Sequence, residues 1–297
     1  MGRAARLRER LAGGEILLAP GVHDALTARI AERAGFEAVY FTGAGFSYTH
    51  LGAPDLGLVS LSETVWRIGA IAEATRLPVI ADGDTGYGNA LNLTRTVHEF
   101  ERAGAAAMQI EDQTFPKRCG HLTGKTLISV EEMVGKIHAA VDARRSEMLI
   151  VARTDARAVE GFDAALERAH RYKEAGAEVL FLEAPAGREE LERTARELPQ
   201  PAMANMVEGG VTPVLPASEL GAMGFRLVIF PGAAVRIGAA AVQRLMAALR
   251  REGTTASLRD EMLEFAELND LLGLGEYQRR EERYLKDVEP GGQGGRR

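Results

Sequence analysis

Apolar residues along the chain gather in short, β-rich runs separated by longer stretches of helical periodicity. The runs are Ile16–Ala19, Ala38–Phe41, Pro78–Asp82, Ala106–Glu111, Met148–Arg153, Glu178–Glu183, Pro201–Asn205 and Arg226–Phe230, eight in all. They are continuous, not alternating, as befits strands buried on both faces of a parallel sheet. Between most of them lie helical patterns at Asp24–Ala34, Ser62–Ala74, Ala90–Ala103, Val130–Arg144, Phe162–Ala175 and Arg188–Leu198. Several close on a glycine just before the next run, as in Ala103-Gly104-Ala105 and Ala175-Gly176-Ala177, where a left-handed residue ends a helix cheaply. Strand–helix alternation repeated eight times predicts an α/β fold of the (β/α)8 TIM-barrel type. No Gly-x-Gly-x-x-Gly follows the first run, which weakens an open dinucleotide-binding sheet.

Three more helical patterns, Gly238–Glu252, Ser257–Leu272 and Glu276–Lys286, follow the eighth run and exceed what one barrel repeat needs. They suit packing on a neighbouring subunit or a cap on the same chain. Residues 1–290 read as one barrel domain that includes these helices, and the Gly-rich residues 291–297 as a disordered tail.

Composition narrows the function classes. With 46% hydrophobic and 26% charged residues the 297-residue chain reads as a soluble globular protein. A net charge of −6 and a pI near 5.7 argue against nucleic acid as a partner. No apolar run approaches the ~20 residues that span a bilayer. The start MGRAARLRERLAGGE is a charged helix without the apolar stretch of a signal peptide. A single cysteine excludes an internal disulfide and suits a reducing cytoplasm.

In a (β/α)8 barrel, chemistry sits at the C-terminal strand ends. Those ends read Thr42-Gly43-Ala44-Gly45, Asp82-Gly83-Asp84-Thr85-Gly86-Tyr87-Gly88-Asn89, Gln109-Ile110-Glu111-Asp112-Gln113, Arg153-Thr154-Asp155, Glu183 and Asn205, with Glu208 beyond. Polar and acidic residues land at the same end of strand after strand. Asp82, Asp84 and Glu111 would converge there, and like charges so close need a cation or raised pKa values. Oxygen ligands without His or Cys suit Mg2+ or Mn2+ better than zinc, and Asp55 could reach the same ion. Taken singly, Asp82 and Asp84 could instead cap the helix near Asn89, and Glu111 could pair with an arginine; the combined set favours the metal. The small residues Thr42–Gly45 fit either a backbone cradle for a carboxylate or a tight turn. Arg153 could clamp a carboxylate bidentately, or partner Glu183 or Asp155.

The lone cysteine stands in Pro116-Lys117-Arg118-Cys119-Gly120-His121-Leu122-Thr123-Gly124-Lys125. Lys117, Arg118 and His121 should lower its pKa toward the thiolate, and Gly120 and Gly124 would let the segment move as a lid. A solvated basic loop or a phosphate-binding stretch is the plainer reading; a catalytic one is favoured, with Cys119, Arg153 and His121 as catalytic residues and Arg118 and Gly120 beside the substrate. His23, His50, His98, His138 and His170 are scattered without metal spacing, Trp66 and the methionines read as core, and Arg250–Arg251 and Arg279–Arg283 as solvated helix faces.

The ordered set Asp82–Gly88, Glu111-Asp112-Gln113, Lys117-Arg118-Cys119-Gly120-His121, Val151–Ala156 and Asn205-Met206-Val207-Glu208-Gly209-Gly210 resembles the isocitrate lyase/phosphoenolpyruvate mutase superfamily over nearly the whole chain. Within it the wording is similar to the methylisocitrate lyase, 2,3-dimethylmalate lyase and carboxyphosphonoenolpyruvate phosphonomutase branch. The resemblance implies a Mg2+-dependent (or Mn2+-dependent) carbon–carbon lyase that cleaves a small 2-hydroxy di- or tricarboxylate to a 2-oxo acid. It implies that Asp82, Asp84, Glu111 and Asp55 organise the ion, and that Thr42, Gly43 and Ala44 hold the pyruvate-like end. It further implies that Arg153, Glu183 and Asn205 line the pocket, that Cys119 protonates the departing carbanion, and that the protein is a homotetramer exchanging C-terminal helices. Arg236 falls where methylisocitrate lyases place an arginine for an extra carboxylate. Leu122-Thr123 departs from the methylisocitrate lyase pattern, and Asn205–Gly210 is closer to the phosphonomutase and dimethylmalate lyase wording. Competing readings are a phosphonomutase or phosphonate hydrolase, an oxaloacetate decarboxylase, and a barrel that only binds an organic acid.

Overall fold

The eight apolar runs pair in chain order as parallel strands, and the last hydrogen-bonds back to the first. The computed structural model describes residues 1–286; the tail read as disordered lies outside the described residues. The elements run α1 (Arg3–Ala12), β1 (Leu17–Val22), α2 (Ala25–Arg33), β2 (Val39–Phe41), α3 (Gly43–His50), α4 (Leu61–Ala74), β3 (Val79–Asp82) and α5 (Ala90–Ala103). Then come β4 (Ala107–Glu111), α6 (Val130–Ala143), β5 (Leu149–Thr154), α7 (Phe162–Glu174), β6 (Val179–Leu182), α8 (Arg188–Glu197), β7 (Ala202–Asn205), α9 (Ala217–Met223) and β8 (Leu227–Phe230). The chain continues with α10 (Ala233–Glu252), a 3-10 turn (Ala256–Glu261), α11 (Phe265–Leu271) and α12 (Leu274–Lys286). Two compact units result, Met1–Ala240 and Ala241 onward.

Each strand feeds two cores, because successive side chains point to opposite faces. Outward residues such as Phe41, Ala81, Met108, Ile150, Leu180 and Val228 pack beneath the helices. Inward ones, among them Leu17, Ile80, Leu149, Val151, Val179, Met203 and Leu227, fill the barrel, and Leu7 and Leu11 of α1 join that inner cluster. Fully burying one such side chain contributes about 1.5–3 kcal/mol. Local chemistry sets the helix ends: Asp24, Ser60 and Asn89 cap α2, α4 and α5 through reciprocal capping boxes, and Gly104 ends α5 at φ +89°.

The structure corrects the sequence reading at several points. Gly43 opens a helix instead of a tight turn, because the Thr42 side chain caps it by accepting from the Gly45 N–H. Asp82 and Asp84 do not cap α5; Asn89 does. Helix α10 starts five residues earlier than its apolar pattern, so Arg236 lies on its first turn. The stretch 257–272 breaks because Glu264 adopts extended backbone and caps α11. Trp66 is 63% exposed, not core, beneath the Arg67 guanidinium.

Candidate active site

The inward face changes chemistry along the strands. In β3 it passes from Ile80 to Asp82, in β4 from Ala107 to Gln109 and Glu111, and in β5 from Val151 to Arg153. In β6 Glu183 follows Phe181, and in β7 Asn205 follows Met203. The same two-residue period that fills the barrel with apolar side chains therefore delivers polar ones at its mouth. Register does the rest: Asp82 lies opposite Gln109, and Glu111 opposite Arg153. Gln109 accepts from the Tyr40 hydroxyl (3.0 Å) and donates to Asp82 Oδ1 (3.2 Å). The other Asp82 oxygen accepts from the Gly43 N–H at 3.3 Å, and Asp82 Oδ1 also accepts from the Asp84 N–H at 3.1 Å.

Asp55, Asp82, Asp84, Glu111, Asp155 and Glu183 bring six carboxylates to this end, against the cations Lys117, Lys125 and Arg153. Lys117 is the residue the sequence reading undervalued. It does not flank the thiol as an exposed cation; it is 4% exposed and pairs with Asp55 Oδ1 at 2.5 Å and Asp84 Oδ1 at 2.9 Å. Burial opposes its charge, but Asp84 and Asp55 outweigh burial and hold its pKa well above the ordinary value. Arg153 is clamped bidentately by Asp155, at 2.9 and 3.0 Å, and stands 3.3 Å from Glu111 Oε2. Both pairings foreseen for it are present, and they hold the guanidinium firmly charged against the cost of burial.

Burial pushes the carboxyls of Asp55, Asp84 and Glu111 upward, Glu111 furthest, since one ammonium and a shared guanidinium do not balance them. Glu111 Oε1 is buried with no hydrogen-bond partner. Among the described residues no three acids stand at ion-ligand spacing, and the Lys117 ammonium lies between Asp55 and Asp84. Excess buried negative charge, an orphaned carboxylate oxygen and an all-oxygen donor set fit a hard divalent cation.

The thiol loop leaves β4 and returns through a short clip, in which Gln113 and Leu127 bridge and the Thr114 N–H donates to the Thr126 carbonyl. Cys119 at its tip is half-buried. The expected lowering of its pKa is not found: burial pushes the thiol up and the Asp55 and Glu183 carboxylates add to it, while Lys117 is turned into the acid cluster and Arg118 is exposed. His121 is pushed down by burial, and its Nδ1 accepts from the Val211 N–H at 3.2 Å. The ring proton therefore sits on Nε2, 3.1 Å from Glu183 Oε1. Asn205 Nδ2 donates to both oxygens of the same carboxylate, at 3.3 and 3.2 Å. Gly120 is closely packed: a Cβ there would stand 2.4 Å from Arg153 Nη2 and 2.5 Å from Glu183 Oε1.

One cavity is lined by Thr42, Ala44, Asp55, Asp82, Lys117, Cys119, Gly120, His121, Arg153, Glu183, Asn205 and Arg236, with Tyr40, Tyr48, Phe181, Val207, Ile229 and Pro231 as its less polar walls. Gly43 lies behind it against Asp82, and Asp84 behind it with Lys117. Arg236 is at the rim, donating to the Glu208 carbonyl at 2.6 Å. Arg118 is not brought to the cavity: it is exposed, and both its backbone groups are bound by the Gln113 amide. Lys125 and Asp155, buried and paired at 3.1 Å, complete the set that spacing alone does not single out.

Residues 7–250 match the family model described as phosphoenolpyruvate phosphomutase. A 2,3-dimethylmalate lyase of Eubacterium barkeri is 50% identical over 285 residues, covering 96% of this chain and 99% of the relative. A 2-methylisocitrate lyase of Aeropyrum pernix is 47% identical over 283 residues, covering 95% and 91%. Among solved structures, a 2,3-dimethylmalate lyase superposes with a TM-score of 0.91 at 39% identity over 96% of each chain. A phosphonopyruvate hydrolase in complex with oxalate and Mg++ superposes with a TM-score of 0.86 at 32% identity, over 96% of this chain and 100% of the other.

Proposed function

Because the chain belongs to the phosphoenolpyruvate mutase/isocitrate lyase superfamily, we propose that it is a Mg2+-dependent carbon–carbon lyase. Its substrate is a 2-hydroxy di- or tricarboxylate of the 2,3-dimethylmalate or methylisocitrate kind, and its products are a 2-oxo acid such as pyruvate and a second carboxylate. The observation that carries this reading is a half-buried thiol, kept protonated by burial, facing the same cavity as Asp55, Asp82, Glu183 and Arg153, with Asp84 and Glu111 outside its lining. Scission of the C–C bond leaves a carbanion next to a carboxylate, which needs a proton from a group that holds one at neutral pH. Cys119 supplies it.

Asp82, Asp84, Glu111 and Asp55 would hold Mg2+ or Mn2+, whose chemistry when bound is Lewis-acid stabilisation of the oxygens that gain charge. Lys117, paired with both Asp55 and Asp84, would fix those two carboxylates for the ion. Arg153, fixed by Asp155, presents its remaining donor edge to a substrate carboxylate. Thr42, Gly43 and Ala44 bring the positive end of α3 toward the 2-oxo acid oxygens. Neutral His121 stands 3.1 Å from Glu183 Oε1 and lines the cavity beside the thiol. Arg236 waits at the rim for a further carboxylate.

The second unit supports a homotetramer with exchanged C-terminal helices, since Val242, Met246, Leu263, Phe265 and Tyr277 are large, apolar and exposed. No helix among the described residues is long and apolar enough to cross a membrane, and a cytoplasmic enzyme of small-acid metabolism fits the single free thiol. The test is an assay with Mg2+ against 2,3-dimethylmalate, methylisocitrate, isocitrate, oxaloacetate and phosphonopyruvate. Release of a 2-oxo acid from a hydroxy acid, lost in Cys119→Ser, is the expected result. Turnover of phosphonopyruvate alone would replace the lyase with a phosphonate-active enzyme.

A further inference from the structure

Lys125 takes no part in the reaction proposed above, yet its side chain is 2% exposed. A buried ammonium is costly unless fully partnered, and this one has two partners. It donates to Asp155 Oδ1 at 3.1 Å and to the carbonyl of Gly120. Asp155 is the carboxylate that clamps Arg153. Arg153 is shared among Asp155, Glu111 and Glu183, so Lys125 also helps to balance the buried negative charge. Beyond charge, what Lys125 adds is a connection. It stands beside the clipped stem, next to Thr126, while Gly120 is at the tip beside the thiol. Its ammonium joins stem, tip and the Asp155–Arg153 pair at one point.

We propose that Lys125 is a positioning residue, a latch that seats Cys119-Gly120-His121 over the cavity by tying the Gly120 carbonyl to the same Asp155 carboxylate that clamps Arg153. The bare glycine at 120 is the matching half of the device, because its backbone lies directly on Arg153 and Glu183. Asp155 Oδ1 accepts both from Arg153 Nη2 at 3.0 Å and from the Lys125 ammonium at 3.1 Å, so one carboxylate fixes the guanidinium and the loop together. The thiol is thereby seated against the carboxylate that orients Arg153, the side chain facing it in the same cavity. The purpose of the latch rests on the lyase reading; its geometry does not.

The experiment measures alkylation of Cys119 by a maleimide in the full-length protein, with magnesium and oxalate as the added probes. Lys125→Met removes a charged hydrogen bond from the seated loop, so Cys119 without probes should react about tenfold faster than in the wild type. With 2,3-dimethylmalate the variant should lose kcat while KM changes little. An unaltered alkylation rate in a variant with lowered thermal stability would leave Lys125 as mere structural support and overturn the latch. If Lys125→Met does not fold, peptide mapping of the wild type decides instead. Acylation of Lys125 and alkylation of Cys119 should be suppressed together by magnesium and oxalate, and Lys125 labelling indifferent to the probes would overturn the proposal. A wild type that cleaves no hydroxy acid, yet shows joint protection, refutes the lyase reading and leaves the latch standing.

Discussion

Replacing Gly120 with alanine adds a single methyl group at the most crowded point of the thiol loop. The new carbon would stand 2.4 Å from Arg153 Nη2, 2.5 Å from Glu183 Oε1 and 2.6 Å from Glu183 Cγ. None of these can yield cheaply, since Asp155 grips Arg153 with two hydrogen bonds and Asn205 binds both oxygens of Glu183. The loop must retreat instead. Overpacking of this kind costs about 1–3 kcal/mol, and retreat also gives up the charged hydrogen bond from Lys125 to the Gly120 carbonyl. A penalty of about 2 kcal/mol on the seated state corresponds to a roughly 30-fold fall in kcat/KM. Thermal stability should change little, because Arg118, Leu122 and Thr123 already face solvent and the tip can move outward. Steady-state kinetics beside a melting curve reads both quantities. Activity within about threefold of the wild type would refute the claim that the loop works by seating on Arg153 and Glu183.

Other expectations follow from the same geometry. Cys119→Ala should lower turnover by about 10²–10⁴-fold with substrate binding largely kept, as read by product release and ligand titration. Because burial raises the Cys119 pKa above its ordinary 9.0, the proton donor persists below that raised value and is lost only as pH climbs through it. A pH–rate profile should therefore keep its plateau beyond pH 9, and a limb falling well below pH 9 would contradict Cys119 as the donor. Glu111, Asp55 and Asp84 are raised in the folded state, so the stability they contribute is complete below their unfolded values and is lost as pH rises. The chelated protein should thus lose thermal stability as pH rises above the unfolded carboxylate range of about 4. Saturating Mg2+ should return about 5 °C or more at the upper end, and a midpoint indifferent to the ion contradicts the acid cluster as its site. Tyr172→Phe removes a 2.8 Å donor from buried Asp112 and should cost about 1–2 kcal/mol of stability by denaturant titration.

The barrel was legible because its signal is local. Every apolar run became a strand within a few residues of its expected bounds, and α5 matched its pattern end to end. The strand-end positions were legible for the same reason, since a buried run that ends in Asp, Glu, Arg or Asn announces where the mouth lies. What could not be read was partnership across the chain. Lys117 looked like a neighbour of Cys119, whereas its ammonium belongs to Asp55, sixty-two residues away in sequence. The direction of the thiol pKa was misjudged on that account. The helix beginning at Gly43 was hidden by its own glycines, which read as a turn until the Thr42 cap is seen. Trp66 was misassigned because size and hydrophobicity argue for burial while position on α4 decides it.

The segment after β3 has a consequence for how such an enzyme could be retargeted. Asp84, Gly86, Tyr87 and Gly88 all adopt positive φ, at 48°, 84°, 61° and 143°. A methyl group on Gly83, Gly86 or Gly88 would collide with Gln109, Leu93 or Asn92. This cup has almost no freedom to accept new side chains, so it is a poor place to seek altered selectivity. The rim is the opposite: the side chains of Arg236 and of Glu208 bound to it are largely exposed and sit in ordinary backbone. Libraries aimed at accepting a different acid should diversify those outer positions and leave the cup alone, and the fraction of folded variants in each library would measure how unequally the two regions tolerate change.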